Sequence, residues 1–256
     1  AAVDTSLPDA AFHLAAVSFV PNAQRAPAEA FDINVVGFVR LASVLAARLR
    51  AGVLDPVVLV VGSAEQYGRH EPRNLPLVEE APQRPLTVYA ASKAAQEVAA
   101  LQSFRTDGLR VVATRSFNHS GPGQDPSFLL PALVRRGIAV RDGGSATLPI
   151  GNGDTVRDFL HVADVVEAYL ALAERGKAGE VYNICSGEGA SVRELTQHVL
   201  LRRGVNAEIV GDPSLMRPVD VPALVGSPAK LERATGWRPT HARTEIIDDL
   251  IHAATH

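Results

Sequence analysis

One cysteine, Cys185, stands in 256 residues. That excludes an internal disulfide framework and suits a reducing cytoplasm. It sits in the apolar run Val181-Tyr182-Asn183-Ile184-Cys185, where a buried, inert thiol is expected rather than a nucleophile. Metal ligation is not expected either, because none of the eight histidines forms a metal-type pair with a neighbouring Cys or Glu. Neither sign of charge dominates: 25 Lys and Arg against 28 Asp and Glu leave a net charge of −3, which gives no reason to expect nucleic acid or an anionic membrane as a partner. No run approaches the roughly 18 apolar residues a membrane span needs, so neither a membrane span nor a signal peptide is expected. The only methionine is Met216, and the first glycine is Gly37. A strand, Gly-rich turn and helix of the kind that seats a dinucleotide pyrophosphate is therefore missing near the start. The expectation is that these residues are part of a longer gene product.

Strand and helix signals alternate through the remainder. Ala10 to Ala16 reads as a short buried strand, and Ala28 to Arg50 as a helix with Phe31, Val35, Phe38, Leu41, Leu45 and Leu49 on one face. The β-branched run Pro56 to Val61 is a central parallel strand. A helix is expected from about Thr87 to Phe104, a strand over Leu109 to Thr114, and helices near Phe128 to Gly137 and Val162 to Glu174. Val181 to Cys185 is another strand. A helix over Val192 to Arg203, a strand over Ala207 to Val210 and two terminal helices complete the pattern. It implies an α/β fold, a parallel sheet wrapped by helices.

The residues that carry chemistry are Tyr89 and Lys93 in Tyr89-Ala90-Ala91-Ser92-Lys93, with Ser63 at the end of an apolar run. Tyrosine and lysine four apart share one helical face. An ammonium held there is expected to lower the phenol pKa from its usual value of about 10 towards working pH. A serine hydroxyl from a neighbouring strand end can bond the same substrate oxygen. Such a trio moves a proton on or off an alcohol while hydride moves at its carbon.

Around it stand His13-Leu14-Ala15-Ala16, Asn34 before Gly37, Gly62-Ser63-Ala64-Glu65-Gln66-Tyr67-Gly68 and Phe117-Asn118-His119. Val156-Arg157-Asp158-Phe159, Tyr182-Asn183 with Ser186-Gly187, and Arg217-Pro218-Val219-Asp220-Val221 follow in order. With these pieces the chain resembles the extended short-chain dehydrogenase/reductases that act on nucleotide sugars (the NAD-dependent epimerase/dehydratase family). The resemblance runs from that family's fourth strand to its C-terminus. It implies a Rossmann-like doubly wound parallel sheet, here without its first strands, and a smaller C-terminal α/β substrate lobe. The Rossmann part is expected at 1–116, with 155–186 returning to it, and the nucleotide-sugar lobe at 117–154 and 187–256.

By the same resemblance Ser63, Glu65, Tyr89 and Lys93 are catalytic. Leu14, Ala15, Ala16, Ser18, Tyr89, Lys93 and His119 hold NAD(P), expected as NADP(H), and Asn118, Arg157, Arg217 and Asp220 hold a GDP-linked sugar. The pattern is similar to the GDP-mannose 4,6-dehydratases and the GDP-4-keto-6-deoxymannose reductases. Gly121-Pro122-Gly123-Gln124 and the run from Asp220 to Gly226 favour the reductases. In the dehydratases, which are lyases, a glutamate at the place of Glu65 removes the C5 proton; in a reductase it can bond a sugar hydroxyl instead. A third reading is a truncated, non-catalytic nucleotide-sugar-binding fragment, since without the first strand residues 10–16 face an open edge and the piece alone would aggregate without binding cofactor. A cytoplasmic homodimer, paired through helices that include Thr87 to Phe104, is also implied.

Overall fold

A computed structural model describes residues 3, 6–216 and 219–255. Strand β1 (Ala10–His13) is followed by a short helix α1 (Val20–Arg25) and the long helix α2 (Pro27–Arg50). Strand β2 (Val57–Ser63), helix α3 (Val88–Asp107) and strand β3 (Arg110–Ser116) come next. After β4 (Asn118–Ser120), α4 (Leu129–Gly143), β5 (Thr147–Ile150) and β6 (Val156–His161), helix α5 (Val162–Arg175) leads into β7 (Val181–Ile184). The chain ends through β8 (Gly189–Ser191), α6 (Val192–Arg203), β9 (Glu208–Gly211), β10 (Ala223–Leu224), α7 (Ala229–Thr235) and α8 (Arg243–Thr255).

The first sheet is wholly parallel, in the order β1-β2-β3-β7. Strand β2 is apolar and almost continuously buried, as a central parallel strand with both faces covered must be. Its register sets Ser63 opposite Ser116, so the C-terminal ends of β2 and β3 form one rim. Helix α3 lies against β2 and β3. It begins where the Thr87 hydroxyl accepts the Ala90 N–H, and it stops at Gly108, whose φ of 75° supplies the left-handed C-cap. A second sheet runs β10-β6-β4 with β8 antiparallel on β6, and β5 pairs with β9. Leu133, Leu148, Leu195, Val199 and Ile246 close the core over these two sheets.

Element boundaries depart from the sequence expectation in places. Strand β1 stops at His13, and Leu14 and Ala15 are exposed. The polar residues in β6 carry no strand signal because Arg157 and Asp158 are buried by bonds made elsewhere in the chain. Helix α2 contains a π turn over Asp32–Val36. By length and composition it could cross a membrane, an 18-residue window of it having mean hydropathy 1.6, contrary to the expectation of no such stretch. Phe38, Ala42, Leu45 and Ala46 nevertheless bury one face of it against β2 and α3.

A strap over residues 219–226 ties β6 to the loop segment at Leu77. It pairs with β6 through β10, the Val156 N–H donates to the Pro222 carbonyl at 2.8 Å, and Arg69 Nη2 donates to the Asp220 carbonyl at 3.1 Å. On its other side Leu77 N–H donates to the Val225 carbonyl and Ser227 N–H to the Leu77 carbonyl, both at 2.8 Å.

Candidate active site

The rim of the first sheet opens into a cavity of about 560 Å³. Ser63, Tyr89, Lys93, His119, Leu14 and Ser18 are among its walls. Glu65 stands between it and a neighbouring cavity of about 540 Å³, whose far wall carries Arg157 and Asp220. A third cavity, of about 360 Å³, reaches past Asn118, Arg136 and Asn152. The three share Pro21 and form one cleft between the two sheets.

Tyr89 projects from the first turn of α3. Burial pushes its phenol up to about 12, against the Ser63 hydroxyl, which favours the ionised form; the nearby charge of Glu65 pushes the same way as burial. The expectation that Lys93 lowers this pKa is therefore corrected. The Lys93 ammonium is committed elsewhere: it donates to the Val61 carbonyl at 2.6 Å and to Gln96 Oε1 at 2.9 Å. Burial brings it down to about 8. Gln96 Nε2 lies 2.8 Å from His13 Nδ1, so a buried chain runs from Lys93 to β1. Desolvation, helped by the Lys93 charge, lowers the His13 pKa. His119 Nδ1 sits 3.0 Å from the Phe117 carbonyl, and burial holds that imidazole below its ordinary pKa. With a carbonyl as neighbour Nδ1 is the donor, which leaves Nε2 as an acceptor.

Asn34 sits in the π turn of α2. It accepts the Val17 N–H at 2.7 Å and donates to Ser92 Oγ at 2.8 Å, fixing the segment after β1 against α3.

Arg157 is tied down. Its Nη1 donates to the Val156 carbonyl at 2.9 Å and the Val221 carbonyl at 2.7 Å, and its Nη2 to Asp220 Oδ1 at 2.7 Å. Next to it the buried Asp158 carboxylate accepts from Ser186 N–H and Oγ, Gly187 N–H and Gly226 N–H. Arg217 lies outside the described residues. Ala15 does not line the cavity beside Tyr89, although Leu14, Ala16 and Ser18 do. Arg115 and Arg136 escape the sequence reading, because a basic residue in a strand or helix carries no sign that it is inward-facing.

A family model described as GDP-mannose 4,6 dehydratase matches residues 1–250. The chain belongs to that family. As one of these extended short-chain dehydrogenase/reductases it is similar to the GDP-6-deoxy-D-mannose reductase of Pseudomonas aeruginosa, with 42% identity over 91% of this chain and 76% of that protein. It is 34% identical to a UDP-glucose 4-epimerase of Streptomyces lividans, over 94% of this chain and 74% of the epimerase. The structure of RMD from Pseudomonas aeruginosa complexed with NADPH superposes with a TM-score of 0.89 and 37% identity, over 98% of this chain and 83% of that one. The Rossmann-like α/β expectation is thereby met.

Proposed function

We propose that the protein is an NAD(P)H-dependent nucleotide-sugar oxidoreductase that reduces the 4-keto group of GDP-4-keto-6-deoxymannose. The carrying observation is that Tyr89, hydrogen-bonded to Ser63, lines one cavity with Ser63 and Lys93 at the rim of the parallel sheet. A phenol in that place can donate its proton to the oxygen of a carbonyl under reduction, with the serine hydroxyl bonding the same oxygen. The 42% identity to a GDP-6-deoxy-D-mannose reductase and the NADPH complex of the matched structure support a GDP-6-deoxyhexose substrate and this cofactor.

The residues present fit the nicotinamide–ribose half of the cofactor. Leu14 and Ala16 offer a wall without reactive groups, and Lys93 lines the same cavity as Tyr89. No Gly-rich turn for the pyrophosphate occurs in this sequence. When bound, the reduced nicotinamide supplies the hydride to C4. Tyr89 donates its phenolic proton to the developing alkoxide, and Ser63 donates a hydrogen bond to the same oxygen. Lys93, Ser18 and His119 are assigned to holding the cofactor. Asn118, Arg157, Asp220 and Arg217 are assigned to the nucleotide part, Arg157 chiefly by fixing Asp220 and the strap. Residues 1–116 and 155–186 are read as the cofactor-binding part and the remainder as the sugar-nucleotide lobe, although β6 lies in the second sheet. The single buried Cys185 is in keeping with a cytoplasmic location. Exposed Val39, Val44 and Val98 on α2 and α3 support a homodimer.

Glu65 favours a second reading, a GDP-mannose 4,6-dehydratase, because it lines the same cavity as Tyr89 and its charge acts on that phenol. There Tyr89 would first accept a proton and Glu65 would take the C5 proton. Incubating the full chain separately with GDP-4-keto-6-deoxymannose plus NADPH, and with GDP-mannose, decides between them. Oxidation of NADPH with the keto sugar is the expected result. Loss of water from GDP-mannose gives the dehydratase, and binding without turnover of either gives the non-catalytic fragment.

A further inference from the structure

Beneath the Ser63–Tyr89 wall lies a second, fully protein-bound polar cluster. Arg115 and Glu97 form a buried two-pronged ion pair: Nε donates to Oε2 at 2.9 Å and Nη2 to Oε1 at 2.7 Å. The remaining arm of Arg115 is fixed as well, Nη1 donating to the Glu79 carbonyl at 2.8 Å and the guanidinium lying 4.8 Å over the Tyr67 ring. Glu97 Oε1 also accepts from Gln83 Nε2 at 2.6 Å, and its Oε2 accepts from Gln66 Nε2 at 2.9 Å. The other end of the same Gln66 amide, Oε1, accepts the Ser63 N–H at 2.7 Å. Gln66 itself is wholly buried.

The two ends of an amide are not equivalent: one only accepts and the other only donates. A carboxylate only accepts, so Glu97 draws the NH2 end of Gln66 to itself and thereby aims the oxygen at Ser63. Reversing the amide would set an N–H against the Ser63 N–H and an oxygen against Glu97. Arg115 keeps Glu97 in place, and the bidentate fork leaves it no freedom to rotate. The backbone leaves room for this contact: a Cβ at Gly62 would lie 2.5 Å from Gln66 Oε1 and 2.3 Å from the Thr114 carbonyl oxygen.

We infer that the Arg115–Glu97 pair is a positioning device for Ser63, acting through the polarity of the Gln66 amide. The inference rests on the proposed function for the meaning of Ser63, while the geometry stands independently of it. The pair touches neither Tyr89 nor the cleft. Its effect is on where the β2 rim presents the hydroxyl, and small misplacements of such groups are costly to catalysis.

Two readouts on the full chain test it, with Gln66→Leu and Gln66→Glu. The first is exchange of the Ser63 amide proton, followed by NMR without substrate. Gln66→Leu is expected to exchange roughly tenfold faster or more, with the fold retained by circular dichroism. Protonated, the glutamate of Gln66→Glu can still accept from Ser63 and donate to Glu97, and two facing carboxylates resist joint ionisation. Protection in that variant is therefore near wild type at low pH and declines as pH rises, a dependence mere loss of packing would not produce. The second readout is steady-state kinetics with the keto sugar and NADPH: in Gln66→Leu kcat drops about tenfold while both KM values stay within about twofold. Ser63 exchange unaltered in Gln66→Leu, or altered exchange with unaltered kcat, overturns the inference. If the wild-type chain does not turn over the keto sugar, the functional reading falls and the exchange result alone decides.

Discussion

The Lys93 ammonium donates to the Val61 carbonyl oxygen, 2.6 Å away and two residues before Ser63. The lysine is thereby bound to the same strand end that presents the serine. Its charge is buried among groups that accept from it but do not neutralise it, which is why its pKa lies near 8.

That burial has a sign in stability. In the unfolded chain lysine titrates near 10.5. Between about pH 8 and 10.5 the unfolded state therefore binds more protons than the folded one, and folding stability rises with pH. Below about pH 8 both states are protonated and the penalty is constant. Urea unfolding of wild type and Lys93→Met at pH 7, 9 and 10.5 (round values spanning that window) should show wild type gaining relative to the variant only over the upper part. A constant difference would show that the ammonium is not desolvated.

Tyr89→Phe keeps the ring and removes the proton. Turnover of the keto sugar should fall by about 10²-fold or more, with little change in KM, because general acid transfer typically contributes 10² to 10⁴. Near-normal kcat would remove Tyr89 from the chemistry.

Glu65→Gln separates the two enzymatic readings. A reductase should lose a few-fold at most, on the order of a hydrogen bond to a sugar hydroxyl. Abolished dehydration of GDP-mannose, with a 4-keto intermediate accumulating, would instead establish Glu65 as a C5 base.

Arg157→Lys replaces a planar fork by a point charge. Three bonds, to the Val156 and Val221 carbonyls and to Asp220, depend on that fork. KM for the sugar nucleotide should rise about tenfold with kcat within about twofold, since the contact serves ground and transition states alike. Equal KM values for the two proteins would show that the strap does not contribute to binding.

Much of this was legible in the sequence where local pattern and tertiary role agree. The β-branched run at β2 is central and parallel, and Thr87 caps α3 where Tyr89 needs to stand. Ser63, Glu65, Tyr89, Lys93 and His119 do line one cavity. Sequence reasoning failed where the partner lies far along the chain. Lys93 bonds Val61, 32 residues away, a partner that the spacing from Tyr89 does not record. Arg157 and Asp158 look like surface charges in a short polar stretch, yet their partners Asp220 and Gly226 lie more than 60 residues on. Strand β6 goes unrecognised for that reason. The upward pKa of Tyr89 is likewise a property of enclosure, which no residue spacing records.

The strap over residues 219–226 is riveted on both sides, to β6 along one edge and to Leu77 along the other. Widening the cleft at this point means shearing backbone bonds on two flanks at once, with the Arg157 fork as a third fastening. At the strap the cleft is a jaw of fixed gape.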